Sequence, residues 1–114
     1  VTDLNQSACV PCRGGVPTLT DSEIAELAPQ VPEWGVIEVA GVRRLRREFR
    51  FPDFASAMRF AVQVGELAER EAHHPDLHVS WGRVVVETWT HKIKGLHRND
   101  FILAAKIDEI HARA

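Results

Sequence analysis

The sequence predicts an α+β fold: a four-stranded antiparallel sheet with helices on one face, in the order α-β-β-α-β-β-α. Three observations carry this. Strand-like stretches come in pairs, each pair split by a turn signal: "VIEV" and "VRRLRREFRF" around Ala40-Gly41, then "LHVSW" and "VVVETWTH" around Gly82-Arg83. Between the hairpins, Phe54, Ala57, Met58, Ala61, Val64 and Ala68 recur at helical spacing. Shorter helical patterns flank the two hairpins. A long helix between two hairpins suggests one sheet covered on one side, with its second face left to water or a partner.

The elements follow in order. Residues 1–18 contain Pro11, Gly14, Gly15 and Pro17 and no periodic pattern, so they read as a flexible tail before a domain spanning 19–114. Thr20-Asp21-Ser22-Glu23 has the form of a capping box. Ile24, Leu27, Ala28 and Val31 continue as a helix that Pro29 and Pro32 keep short. In the second arm of the first hairpin, Leu45, Phe49 and Phe51 point one way. Arg44, Arg46, Glu48 and Arg50 point the other, as the wet face of a sheet rather than a nucleic-acid patch. Pro52 ends the strand and Asp53 caps the long helix. Glu66, Glu69, Arg70 and Glu71 form much of that helix's polar face. Pro75 disfavours α geometry at the residue before it, so the helix ends near His74. The last helix buries Leu103, Ala104, Ile107 and Ile110 and carries Asp100 in its first turn, at the positive end of the helix dipole.

Bulk properties exclude several classes. A chain of 114 residues suggests one domain with a core that needs no staples. A net charge of -2 gives no global attraction to nucleic acid or anionic membrane, and no basic helix suited to a DNA groove is present. No apolar run approaches the ~20 residues of a membrane span, and no secretory signal pattern is visible. The two cysteines, Cys9 and Cys12 in "CVPC", are too few for a disulfide scaffold. They read as reduced thiols or as half of a zinc site, and a cytoplasmic location fits them best.

The stretch "EREAHHPDLH" concentrates the chemistry. His73 and His74 sit at a helix end, His78 follows beyond the proline, and His91 closes the last strand. Imidazole titrates at a reference value of roughly 6.5, so two such groups on one cleft can deliver one proton and remove another. Glu69, one turn before His73, can orient a histidine or hold a ligand edge. Three histidines can also hold zinc, but no HExxH pattern is present. Polar helix-end residues near the C-terminal dipole are the third reading. Spacing alone leaves these open.

The combination "HHP" at His73-His74-Pro75, "TH" at Thr90-His91, "GL" at Gly95-Leu96, Asp100 and "LAAKIDEI" resembles the pterin-4a-carbinolamine dehydratase family, which includes a dimerization cofactor of a homeodomain transcription factor. The resemblance covers roughly Leu19 to Ile110, with Trp34 and "FRFPDF" also similar to the family. It implies the four-stranded α+β fold and homodimers or homotetramers. It implies loss of water from a 4a-hydroxytetrahydropterin to give a quinonoid dihydropterin, recycling the pterin of aromatic amino acid hydroxylases, with no metal or organic cofactor. It implies catalytic roles for His73, His74 and His91; our hypothesis is that His74 and His91 act as the acid–base pair while His73 helps hold the pterin. Substrate contacts are implied for Glu69, Pro75, Thr90, Lys92, Ile93, Asp100 and Trp34. Three positions depart: Ala72 replaces the acidic residue often found before "HHP", Trp81 stands where Tyr is frequent, and His97 replaces the usual Thr that opens the last helix. A non-enzymatic assembly or dimerization factor remains the alternative function, since fold does not fix function. A metal-binding module built on Cys9, Cys12 and the histidines is the second.

Overall fold

The computed structural model describes residues 3–11 and 14–113. Helix α1 spans Asp21–Leu27, strands β1 and β2 span Gly35–Val39 and Val42–Arg50, and helix α2 spans Phe54–Glu71. Strands β3 and β4 span Asp76–Ser80 and Arg83–Thr88, and helix α3 spans Arg98–Arg113. Short 3₁₀ turns cover Leu4–Gln6, Ala28–Gln30 and His91–Ile93. The strands form one antiparallel sheet in the order β1-β2-β4-β3. This is the α+β architecture read from the hairpins. No described helix is long and apolar enough to cross a membrane.

Local chemistry accounts for the boundaries. Thr20 Oγ1 accepts from the Glu23 amide (3.2 Å) and Glu23 Oε1 accepts from the Thr20 amide (2.8 Å), closing the capping box. Asp53 Oδ1 accepts from the Ser56 amide at 2.8 Å and starts α2. Ala40 and Gly41 both hold positive φ, as a two-residue primed turn requires. In the second turn Gly82 has φ +67, and a Cβ there would meet the Phe51 carbonyl oxygen at 2.8 Å.

The register Leu45↔Thr88, Phe49↔Val84 and Leu77↔Val86 puts one apolar set on the helix side. Leu45, Phe49, Val84 and Val86 pack there with Phe60, Val64 and Leu67 of α2 and Phe101, Leu103 and Ile107 of α3. Alternation puts Arg44, Arg46, Glu48 and Arg50 on the open side.

Several readings change in detail. Helix α2 buries Ala57, Phe60, Ala61, Val64, Leu67 and Ala68, whereas Phe54 and Met58, read as core, are exposed together with Val62. The helix carries two apolar stripes, and the pattern alone mixes them. Glu71 is not on the wet face: it accepts from Lys106 Nζ at 3.0 Å and from the Cys9 amide at 2.9 Å. Arg47 faces the helices, donating to Asp108 at 2.7 Å with its guanidinium over Phe49. Nor are residues 1–18 a loose tail along their described part. Leu4 is fully buried, its amide donates to Gln30, and Asn5 donates to Glu109. The Val10 amide donates to Asn99 Oδ1 (3.0 Å) while Asn99 Nδ2 donates to the Val10 carbonyl (2.7 Å). His97, a residue of low capping preference, caps α3: its Nδ1 accepts from the Asn99 amide at 3.0 Å.

Candidate active site

The end of α2 sets the direction of both adjacent histidines. The helix stops at Ala72, which adopts the left-handed conformation (φ 53), while the His73 amide donates back to the Ala68 carbonyl. The stop therefore precedes the position expected from Pro75. Beyond it the side chains diverge. His73 is buried and His74 is exposed.

His73 meets Asp100. Its Nε2 lies 2.6 Å from Asp100 Oδ1, which also accepts from Thr88 Oγ1 at 2.7 Å. Asp100 Oδ2 accepts from Thr90 Oγ1 at 2.8 Å and from the His97 amide at 3.0 Å. The Asp100 side chain has no exposed surface. Burying a carboxylate is expensive unless donors satisfy it, and here four converge from the α2 exit, β4, the following loop and the start of α3. With Nε2–H given to the carboxylate, neutral His73 keeps Nδ1 as its acceptor.

His74 Nε2 lies 2.5 Å from Glu69 Oε2. Both side chains are mostly exposed, at 63% and 77%, so the pair orients the imidazole more than it stabilises the fold. His91 opens the 3₁₀ turn after β4, held by the pairing of Thr90 with Gly95. Its ring stacks on Trp89 with centroids 4.4 Å apart and planes 24° apart.

These groups line one cleft of about 290 Å³, formed by Ala72, His73, His74, Trp89, Thr90, His91 and Lys92. That is near the lower end for small-molecule sites. The three histidines proposed from sequence thus share one wall with Thr90 and Lys92, and Glu69 stands behind His74. Pro75 follows His74 directly and Ile93 lies in the 3₁₀ turn, both half-buried. Two proposed substrate contacts sit elsewhere. Asp100 is closed off beneath His73, with both oxygens engaged by protein donors. Trp34 is a core residue: its ring packs edge-on to Phe49 and its Nε1 donates to Asp108 at 2.8 Å. Trp89 and Thr88 were missed. Strand alternation could have found Thr88, which shares the buried face of Val84 and Val86 and needs a partner for its hydroxyl.

A larger cavity of about 450 Å³ lies between Arg50, Phe51, Ser56, Arg59, Phe60 and His111. His111 is its one imidazole, packed edge-on to Phe49 and Phe51, and burial and Arg47 hold its pKa down against the pull of Asp108. It serves as an aromatic packing group there. Among the described residues no group of three or more His, Cys, Asp or Glu is placed to hold a metal ion. Cys12 of the "CVPC" pair lies outside the described residues. Burial, with Glu71 beside it, pushes the Cys9 thiol up to about 12.

Comparisons with known proteins cover the same region. Residues 17–110 match the family described as Pterin 4 alpha carbinolamine dehydratase. A protein of Gloeobacter violaceus named "Putative pterin-4-alpha-carbinolamine dehydratase 1" is 51% identical over 111 residues, covering 97% of this chain and 96% of the relative. A Chlorobium luteolum protein of the corresponding name is 51% identical over 108 residues, 95% of each chain. A solved structure of a transcriptional coactivator/pterin dehydratase from Brucella melitensis superposes with a TM-score of 0.73 at 33% identity, covering 82% of this chain and 97% of its own.

Proposed function

This chain belongs to the pterin 4 alpha carbinolamine dehydratase family, and on that basis we propose that it dehydrates a 4a-hydroxytetrahydropterin to the quinonoid dihydropterin and water. The observation that carries the reading is the meeting of His73, His74 and His91 on one cleft, with His73 tied to a buried carboxylate. The 4a-hydroxyl takes a proton and leaves as water, the N5–H bond gives up its proton, and its electrons form the C4a=N5 double bond. One proton enters and one departs, so two imidazoles suffice. His74 and His91, both exposed to the cleft, form the acid–base pair. His73 holds the pterin through the ring atom that Asp100 leaves free. Thr90, Lys92, Pro75 and Ile93 border the substrate, and Glu69 orients His74. Asp100 is a positioning residue rather than a substrate contact, because its oxygens are spent on protein donors.

The same reading makes the protein a recycler of the pterin used by aromatic amino acid hydroxylases, working in the cytoplasm. It acts as a homodimer or homotetramer. The exposed Phe54, Met58 and Val62 at i, i+4 and i+8 on α2 support self-association, being a stripe of one helix face left uncovered in the single chain. The Brucella protein is named a transcriptional coactivator as well as a dehydratase, which keeps a non-enzymatic assembly factor as the second reading. The deciding measurement is the decay of enzymatically generated 4a-hydroxytetrahydropterin with wild type and a His74→Ala/His91→Ala variant. Acceleration lost in the variant supports dehydration. No acceleration by folded wild type refutes it and turns attention to the α2 face.

A further inference from the structure

Arg44 and Trp89 stand outside the acid–base assignment, yet they adjoin it. The ladder pairs Leu45 with Thr88, the last residue of β4; Arg44 precedes the one and Trp89, half-buried and packed against the edge of the core, follows the other. The Arg44 guanidinium carbon lies 3.8 Å from the centroid of the indole. The indole in turn stacks on His91 at 4.4 Å. Arg44 Nη1 donates to Glu87 Oε1 at 2.9 Å, and Glu87 also lies 3.7 Å from Arg46. Arg44 Nε is buried with no hydrogen-bond partner among the described residues. Leaving a buried N–H unpaired is costly, so what fixes the guanidinium is its face on the indole and its tie to Glu87.

We infer that Arg44 and Trp89 are positioning residues for His91: the guanidinium sets the plane of the indole, and the indole sets the plane of the imidazole. The inference rests on the proposed dehydration. Proton transfer depends on the direction of a ring nitrogen as well as its presence, and stacking controls that direction for an exposed ring. A misplacement of about 1 Å can cost ~10²-fold in rate. Trp89 also lines the cleft, so its variants can change substrate binding. Arg44 does not line it and acts only through the indole.

Arg44→Met keeps the length of the stem and removes the guanidinium. It lowers kcat about 5- to 10-fold with KM unchanged, a fraction of the full loss expected from a misplaced group. Trp89→Leu lowers kcat about 30- to 100-fold, and Trp89→Phe, which retains a stacking face, recovers most of it. In a Trp89→Leu background, Arg44→Met adds nothing, because its path to His91 is gone. Wild-type kcat in Arg44→Met, or an undiminished further loss in the Trp89→Leu background, overturns the inference. A second readout needs no turnover. The His91 ring protons resonate upfield under the indole ring current in wild type, return toward free imidazole in Trp89→Leu, and shift partway in Arg44→Met. His91 resonances that stay fixed in both variants and in Trp89→Phe overturn the inference even if the protein is a dehydratase. Absent turnover in wild type with the shifts as expected refutes the dehydration while the stack stands.

Discussion

Replacing Asp100 with Asn tests the centre of the site with a change of one atom. The carboxylate accepts four hydrogen bonds: His73 and Thr88 on Oδ1, Thr90 and the His97 amide on Oδ2. An Asn offers one oxygen and one NH2. The backbone N–H of His97 cannot reverse its role, whereas imidazole can, so the amide NH2 settles toward His73. His73 must then accept at Nε2 and carry its proton on Nδ1, the opposite tautomer. Charge-assisted bonds are worth about 1.5–3 kcal/mol and neutral ones about 0.5–1.5. Four bonds each losing about half a kcal or more, with Thr88 forced to turn, give a loss of about 2–4 kcal/mol. For a domain of this size that lowers Tm by roughly 10–15 °C. Urea and thermal unfolding at neutral pH measure the loss, and ¹⁵N NMR of the His73 ring reads the tautomer. Activity falls about 10²-fold or more, because the pterin-holding atom changes from acceptor to donor. A variant within about 1 kcal/mol of wild type, with His73 still protonated on Nε2, would mean that the carboxylate's charge does not hold this cluster together.

Gly82→Ala places a Cβ 2.8 Å from the Phe51 carbonyl at φ +67, and about 2–4 kcal/mol of stability is lost, read from urea midpoints; a loss of less than about 1 kcal/mol contradicts the clash. Desolvation raises the Glu71 pKa, but the Cys9 amide and Lys106 together outweigh it, so it lies below its ordinary 4.5. A depressed carboxylate stabilises fully above that ordinary value and loses its contribution as pH falls through the lower native value. The Tm difference between wild type and Glu71→Gln therefore narrows as pH drops below about 4.5; a gap that stays constant to about pH 2.5 contradicts this. Pushed up to about 12 by burial, the Cys9 thiol in a Cys12→Ser background reacts with iodoacetamide at about pH 8 at least ~30-fold more slowly than in the unfolded chain, the scarcer thiolate being partly offset by its greater nucleophilicity, and equal rates would show that the thiol is not held.

Much of this molecule is legible from residue order because local chemistry and global packing agree. The Thr20–Glu23 box, the Ala40-Gly41 turn and the Asp53 cap each act within four residues, so pattern suffices. The misses share a cause, which is information held in tertiary contact. Nothing in "FASAMRFAVQVGEL" distinguishes which apolar stripe faces the sheet, since both recur at helical spacing. Leu4 is one apolar residue among polar ones and has no period. Trp34 precedes a strand in a position compatible with core or cleft, and only the Asp108 partner, far along the chain, decides. At the site, the histidines were visible by residue type and by resemblance. Which of the two adjacent rings turns inward was not, because it is set by a left-handed Ala72, and alanine gives no sign that it will take that conformation.

The N-terminal segment has a bearing on where this folded unit begins. The family match starts at residue 17, yet Leu4 fills a place in the core, and Val10 and Asn99 grip each other one residue before the buried carboxylate. A boundary drawn where the family match begins, at residue 17, would empty Leu4's place, a defect that typically costs about 2–5 kcal/mol for a buried leucine. It would also bare one flank of α3. The span of the family match and the unit that folds here differ by a short N-terminal strap, one that relatives aligned over 95–97% of this chain share, and through Leu4 that strap reaches the protein's interior.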